Sequence, residues 1–506
     1  MKKKIMLLLC ILSVLSLSII LLTSCKKCAH LDKDDNGKCD LCDEAFTDNM
    51  DLSYDPICQH VDANKDHACD NGCGKTIGAC EDVNIDGYCD YGCGKEFSVV
   101  YSEGLKFISN GDGTCDVCGI GTCTDTNLVI PPISPKGDRV IAIESEAFEK
   151  CSRLKSVTIG NGVQTIGDGA FADCYSLTSI TIGNGVQFIK DDAFYGCDRL
   201  TSISIGNDIQ FIGYQAFYGC DRLTSVYITD ITTWCNIEFY SRYHSNPLYY
   251  AQNLYLNGNL ITDLMLPDGV TSISDNAFSY YEGLTSVTIP DSVQTIGESA
   301  FHGCNSLTSV TIENGAHSII GGSAFASCER LRSVIIGNGV QSIGFAAFSQ
   351  CNNLESVTIG NGVQTIGESA FAHCNSLMSV TIPDGVESIG EKAFYDCNSI
   401  ASVTIGNGVQ SIDAYAFTSC DSLTNVTIGN GVQSIGYGAF AHCNSLTSVT
   451  IPDSVQSISW FAFQNCTSLS SIKYRGTEAQ WNAIEKGGYW DRDTSSYIIT
   501  YNYDGE

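Results

Sequence analysis

Between positions 140 and 474, apolar residues fall on a grid with a 23-residue period. One unit reads Ala-Phe-x-x-Cys-x-x-Leu-x-Ser-Val-x-Ile-x-Asn-Gly-Val-x-x-Ile-Gly. The Leu154-x-x-Val157-x-Ile159 segment ends in alternating apolar and polar positions, which predicts a short strand with one buried side. Gly160-Asn161-Gly162 then predicts a turn. In four units Pro replaces the first Gly, at Pro267, Pro290, Pro383 and Pro452. Pro has no amide hydrogen to give to a ladder, so each strand should stop there. Val163 and Ile166 are expected to point inward from the opposite wall. Ala170-Phe171 closes the coil and supplies its largest buried side chain. The Phe recurs thirteen times, from Phe148 to Phe463. A fixed period of this length predicts a solenoid in which each unit stacks only on its neighbours. Such an architecture excludes most compact enzyme folds.

The array is broken once. Residues 228–266 form an aromatic insert containing Trp234-Cys235-Asn236-Ile237 and Asn253-Leu254-Tyr255-Leu256-Asn257-Gly258. Residues 475–506 hold a related segment, with Trp481-Asn482-Ala483-Ile484 and then Tyr497-Ile498-Ile499-Thr500-Tyr501. Both predict a short helix carrying a Trp, followed by a strand that reaches an Asn-Gly or Asp-Gly turn. The insert therefore reads as a cap-like unit, because terminal repeats need their apolar end covered. Its Tyr240, Tyr243, Tyr249 and Tyr250 are the candidate partner-binding residues, since an exposed aromatic cluster marks an interaction surface.

The first residues predict export. Lys2, Lys3 and Lys4 precede an apolar stretch over 5–22. Leu22-Thr23-Ser24-Cys25 resembles the bacterial lipobox. The resemblance implies a signal peptide over 1–24, cleavage before Cys25 and lipid on the Cys25 thiol. No second hydrophobic run of about 18 residues follows. The expected location is the bacterial cell surface, outside the cytoplasm, with membrane contact through the lipid at Cys25. The 57 acidic and 27 basic side chains give a formal charge of -30. Nucleic acid is disfavoured as a partner, because phosphate recognition needs basic patches. An anionic surface suits divalent cations or basic partners.

Residues 25–125 are rich in Asp, Asn, Gly and Cys and poor in large aliphatic residues. Such a stem is not expected to build its own apolar core and must be held by metal, by disulfides or by both, or else remain extended. Residues 126–139, with Pro131, Pro132 and Pro135, read as a linker into the repeats. The stem carries a weak repeat of its own. Its candidate metal ligands are Asp32, Asp34, Asn36, Asp40 and Asp43 in the first unit. They are Asp62, Asn64, Asp66 and Asp70 in the second, and Asp82, Asn84, Asp86 and Asp90 in the third. A degraded fourth unit begins Asn110-Gly111-Asp112-Gly113. Asp-x-Asp-x-Asn-Gly alternates hard oxygen ligands and then turns sharply at Gly, which is the order of a calcium loop. It resembles the loops of EF-hands, dockerins and thrombospondin type 3 repeats. It lacks flanking amphipathic helices and the final Glu, and Cys73 and Cys93 stand at the last ligand place of units two and three. Zinc is the rival ion, through Cys28, His30, Cys39 and Cys42, although unit three has no matching His. A disulfide-stapled acidic stem without metal is the third reading. No organic cofactor is expected.

The units over 140–227 and 267–474 resemble the BspA-type leucine-rich repeats of bacterial and protist surface proteins. The resemblance implies an α/β-type repeat solenoid with a parallel concave sheet and a mostly irregular convex side. The Cys/Asp-rich stem before it is expected to have little regular structure. The resemblance also implies adhesion to host matrix proteins or to other microbes.

Within the array a Cys stands three residues after twelve of the thirteen Phe, and these should form a buried ladder acting as small hydrophobes. No His or Asp recurs beside every one of them, so catalysis is not expected. Outward strand positions are mostly Ser and Thr, broken mainly by Tyr227, Ile335, Asn425 and Lys473. Variable positions lie before each Ala-Phe, such as Asp191-Asp192, Tyr214-Gln215 and Tyr415. The function expected is non-enzymatic adhesion or contact with an extracellular protein or glycan. The alternative is a spacer of the cell envelope.

Overall fold

A computed structural model describes residues 100–314 and 318–504. Cys25 and the candidate calcium ligands over 32–90 lie outside the described residues. The unit Tyr101–Glu506 is a parallel β-solenoid of about 17 coils.

Each coil is built as the apolar grid dictates. Strand β5 (Ser156–Ile159) alternates half-buried and buried residues. It pairs with the equivalent strand one coil on, Ser156 opposite Ser179 and Ile159 opposite Ile182. Like letters therefore stack on like letters. The opposite wall is more regular than expected. Strand β6 (Thr165–Ile166) belongs to a second parallel ladder of two-residue strands. The Val-x-x-Ile-Gly segment stays extended just long enough to bond its neighbours, as in Gln187 N–H to the Gln164 carbonyl at 2.8 Å. Val157, Ile159, Val163 and Ile166 all face the core.

Between the walls runs the Phe ladder. Phe148 and Phe171 stack at 5.0 Å with planes 6° apart, and Phe325 and Phe348 at 5.2 Å and 2°. All are fully buried. The Phe171 amide donates to the Ala193 carbonyl at 2.8 Å, so backbone and ring obey one coil spacing. The turns are just as close. A Cβ on Gly362 would stand 1.8 Å from the Asn338 carbonyl oxygen. The Asn361 amide meanwhile donates to Asn338 Oδ1 at 3.0 Å. The unit from Phe301 to Phe325 has one residue more, and the ladder absorbs it in a register shift between Ser318 and Ile319.

The solenoid begins earlier than the sequence boundaries placed it. Residues 126–139 are not a free linker. Strand β3 (Asn127–Ile130) pairs in parallel with β5, and Pro131 and Pro132 end it. Ahead of it, β1 (Lys106–Ser109) and β2 (Thr114–Gly119) form an antiparallel hairpin. Strand β2 then pairs with β4 (Arg139–Ile143). The end of the expected stem is thus a cap that buries Leu105, Cys115, Val117 and Cys123. The degraded fourth loop is the turn of this hairpin. Asp112 accepts from the Thr114 amide at 3.0 Å and from its hydroxyl at 2.5 Å.

The insert and the C-terminus also enter the ladders. Helix α1 (Ile231–Asn236) is capped by Asp230, which accepts from the Thr232 amide at 2.9 Å. The strand Asn253–Leu256 pairs in parallel with Ser225–Ile228. At Asn257-Gly258 the chain reverses, and Asn259–Leu260 closes that sheet antiparallel. A fresh ladder starts with Asp263–Met265, so the second block begins before 267. Helix α2 (Glu478–Ala483) carries a full capping box between Thr477 and Gln480. It buries Trp481 as α1 buries Trp234, and Ile498–Thr500 pairs with Ser471–Tyr474.

Phe371→Ala is expected to cost about 3–5 kcal/mol, because it opens a void between two stacked rings. Ser379→Ala, on the outer side of a strand, should change stability by less than about 0.5 kcal/mol. Urea unfolding of the two variants beside the parent chain checks the difference.

Candidate functional site

The cysteines between the walls serve packing. Among the described residues all are free thiols. Cys174 Sγ donates to the Phe148 carbonyl at 3.2 Å, and Cys374 Sγ to that of Phe348 at 3.2 Å. The same bond recurs from coil to coil. Burial pushes the Cys174 thiol up to about 12 and those of Cys304, Cys351 and Cys443 well above their usual range. The two histidines that precede ladder cysteines turn elsewhere. His373 Nδ1 meets Asp396 Oδ2 at 3.0 Å, and His442 Nδ1 meets Asn465 Nδ2 at 3.2 Å. Neither is paired with a thiol.

The outer side of the long strands is a hydroxyl carpet. Thr178, Thr201 and Thr224 at its margin each donate to the carbonyl one coil back at 2.9–3.1 Å. Tyr227, exposed there, stacks on Tyr255 at 4.8 Å. Ile335 is 50% exposed, and Lys473 lies over the Tyr503 ring at 4.8 Å.

The insert gathers an aromatic patch at the coil edge. The Phe217 amide donates to the His244 carbonyl at 2.9 Å, where earlier coils use an Ala. The insert thereby takes the place of a coil and brings its own rings to the edge. Trp234 Nε1 donates to the Ala277 carbonyl at 2.9 Å, and Asn246 Nδ2 to the same oxygen at 3.0 Å. These bonds tie the insert to the second block.

The four candidate tyrosines have different situations. Tyr249 and Tyr250 are half-buried and hold the patch together. Tyr249 packs against His244, Tyr250 and Tyr280 at 5.1, 4.9 and 5.1 Å. Tyr250 Oη accepts from the Gly219 amide at 3.1 Å, and burial raises that phenol to about 12. Tyr243 is 40% exposed and carries Arg242 over its ring at 4.9 Å. Tyr240 is 63% exposed but leaves this group and meets Tyr214 edge-on at 5.5 Å.

The tertiary structure adds members that the insert's sequence does not contain. Tyr218 meets His244 at 4.7 Å and stacks on Tyr195 at 5.1 Å. Tyr280 joins Tyr243 at 5.8 Å, and a Cβ on Gly303 would stand 2.8 Å from its ring. Each of these tyrosines sits one or two residues after a ladder Phe, which is the signal that could have found them. Burial, with Arg242 adding to it, lowers the His302 imidazole to about 4, so the ring beside Tyr280 is neutral near pH 7. Among the described residues no group of three or more His, Cys, Asp and Glu is placed to hold a metal ion.

The thiol ladder makes a direct expectation. A thiol of pKa about 12 is roughly one part in ten thousand thiolate at pH 8. Iodoacetamide should therefore leave Cys174, Cys304, Cys351 and Cys443 unlabelled in the native protein and label all four after denaturation. Peptide mass spectrometry reads the outcome, and fast native labelling would contradict the buried ladder.

A leucine-rich repeat protein from Bacteroides ovatus superposes with a TM-score of 0.53 at 25% identity. The match covers 80% of this chain and 99% of that one. A leucine rich cell surface protein from Faecalibacterium prausnitzii is 29% identical, with a TM-score of 0.37, over 76% of this chain and 97% of that one. Among curated proteins none matches. The BspA type leucine rich repeat region matches in six copies, over residues 126–245, 251–378 and 364–484. With most of its length matched, the chain belongs to the BspA-type leucine-rich repeat family.

Proposed function

We propose that this chain is a lipid-anchored bacterial surface protein that makes adhesive or protein–protein contacts without catalysis. The observation that carries the reading is the insert patch. Exposed Tyr243 carries Arg242 over its ring, and exposed Tyr218 meets His244 beside it. Tyr and Arg are the residue types that dominate binding energy at protein interfaces. Family membership and the described surface location of the Faecalibacterium relative support an extracellular setting. In this reading Cys25 carries lipid, the stem loops from Asp32 onward take calcium, and the solenoid presents its edge to the partner. One observation favours the spacer alternative: the long-strand sheet repeats the same hydroxyls from coil to coil and offers little to select one ligand.

The mature chain should bind at least one member of a panel of extracellular matrix proteins. The double variant Arg242→Ala, Tyr243→Ala should weaken that binding tenfold or more, in surface plasmon resonance run with and without calcium. Uniform absence of binding would favour the spacer. A fatty-acid label fed to expressing bacteria should enter the parent chain and be lost from Cys25→Ser. A label that persists in the variant would remove the lipid from Cys25.

A further inference from the structure

A second aromatic surface lies at the far end of the stack, away from the insert in sequence. It occupies the coil edge just before Ala-Phe, where most other units carry small or polar residues such as Glu368 and Ser369 or Glu391 and Lys392, and aromatics stand singly at Tyr214 and Phe345. Over four successive coils that edge instead carries Tyr415, Tyr437, Trp460 with Phe461, and Tyr489. The rings form a continuous row. Tyr415 meets Tyr437 at 5.2 Å, Tyr437 meets Phe461 at 5.4 Å, and Phe461 stacks on Tyr489 at 6.0 Å with planes 6° apart. The row is open to solvent, with Tyr437, Trp460 and Tyr489 exposed by 41, 51 and 61%. Exposed rings in such a row mark an interaction surface.

The row is seated on glycines. A Cβ on Gly438 would stand 3.0 Å from the Tyr415 ring, and one on Gly488 would stand 2.5 Å from that of Trp460. Tyr415 and Trp460 thus each lie over the matching position of the next coil, and there that position is Gly. Coil-to-coil bonds hold the edge beneath. The Tyr415 amide donates to the Tyr437 carbonyl at 2.8 Å, and the Gly438 amide to that of Trp460 at 3.0 Å.

Beside the row opens a groove of about 510 Å³. Tyr395, Tyr415, Tyr437 and Phe461 supply its apolar lining. Asp421, His442, Asn444 and Gln464 supply polar groups, with Asn444 Nδ2 donating to Asp421 Oδ1 at 3.0 Å. No Lys or Arg lines it.

We propose that this edge is a binding site for a neutral glycan, an uncharged chain of hexopyranose units. The C–H face of a pyranose ring is weakly positive and suits the negative face of an aromatic ring. Its hydroxyl rim both donates and accepts, which suits a carboxylate, two amides and an imidazole. Anionic glycans are disfavoured because the lining offers them a carboxylate and no cation. A peptide strand is disfavoured because the amides it would add to are already bonded between coils. The groove also lacks the Arg that protein anchors favour. Coils about 4.8 Å apart give an extended oligosaccharide a ring to meet at nearly every unit.

The test uses the full mature chain and cellohexaose, laminarihexaose and mannohexaose as probes. Heparin hexasaccharide and a proline-rich peptide serve as the competing classes. Trp460 is the exposed tryptophan among Trp234, Trp460, Trp481 and Trp490, so its emission reports on the site. At least one neutral hexasaccharide should shift tryptophan emission and bind by calorimetry. Trp460→Ala should weaken that binding at least tenfold, while Tyr175→Ala, remote on the first block, should leave it unchanged. Gly438→Ser is the second variant: Ser369 already holds the same backbone turn at φ 57°, so the fold is kept while the Tyr415 ring is displaced. The proposal is overturned if no neutral hexasaccharide binds, if only heparin or the peptide binds, or if both variants bind like the parent. Because the insert variant reports on matrix binding separately, failure here leaves the adhesive reading of the insert intact.

Discussion

The structure depends on one constraint: each coil must satisfy its backbone through the coil before it and the coil after it. An isolated unit has strands of four and two residues and could bury almost nothing. Stacked at the spacing of a parallel ladder, the same unit closes hydrogen bonds on both walls and across the Phe turn. Near-parallel rings at 5.0–5.6 Å and thiols bonded to carbonyls follow from that spacing. So does the exclusion of a side chain at Gly362. The 23-residue period is the chemical form of this constraint. Where the chain carries one residue more, before Phe325, the ladder has to shift register.

A surface built under this constraint has little freedom on its sheets. A strand residue that is buried must fit a coil on each side, and an outward one has neighbours of the same kind one coil away. The result is repetition of Ser and Thr with few anchors. Freedom lies at the coil edge, where a side chain leaves the stack, and at the insert, where the repeat is interrupted. The aromatic residues concentrate in those places. Tyr218, Tyr243 and Tyr280 crowd the insert, and Tyr437, Trp460 and Tyr489 line the last coils. In both places glycines in the neighbouring coil, Gly303 and Gly438, leave room for a ring.

The insert and the C-terminal segment solve one physical problem. A solenoid end exposes apolar surface and unpaired strand edges. Each segment covers it with a capped helical turn, a buried Trp and a closing strand. The insert does so inside the array, with its hairpin ending one sheet, yet Trp234 and Asn246 bond to the first turn of the next block. A cap has thus become a junction, and its outer tyrosines have become surface.

The solenoid, its period and its inward residues were legible in the sequence because each is a local pattern repeated many times. Val157, Ile159, Val163, Ile166 and Phe171 take the places the grid assigns them. The helix with its Trp and the strand after it were legible twice over, for the same reason. The N-terminal cap was not, because Asp, Gly and Cys around position 112 read equally as ion loop or hairpin turn. Only pairing with Arg139–Ile143 decides between them. The composition of the aromatic surfaces was not legible either. Tyr218 and Tyr280 stand far apart in sequence and both reach the insert, at His244 and Tyr243, because stacking converts one period of chain into a single step along the fold. The sequence by itself determined the coil and the charge of the molecule. Which side chains share an edge, and whether a tyrosine is packing or surface, was decided by tertiary structure alone, since burial depends on what the neighbouring coil places above and below.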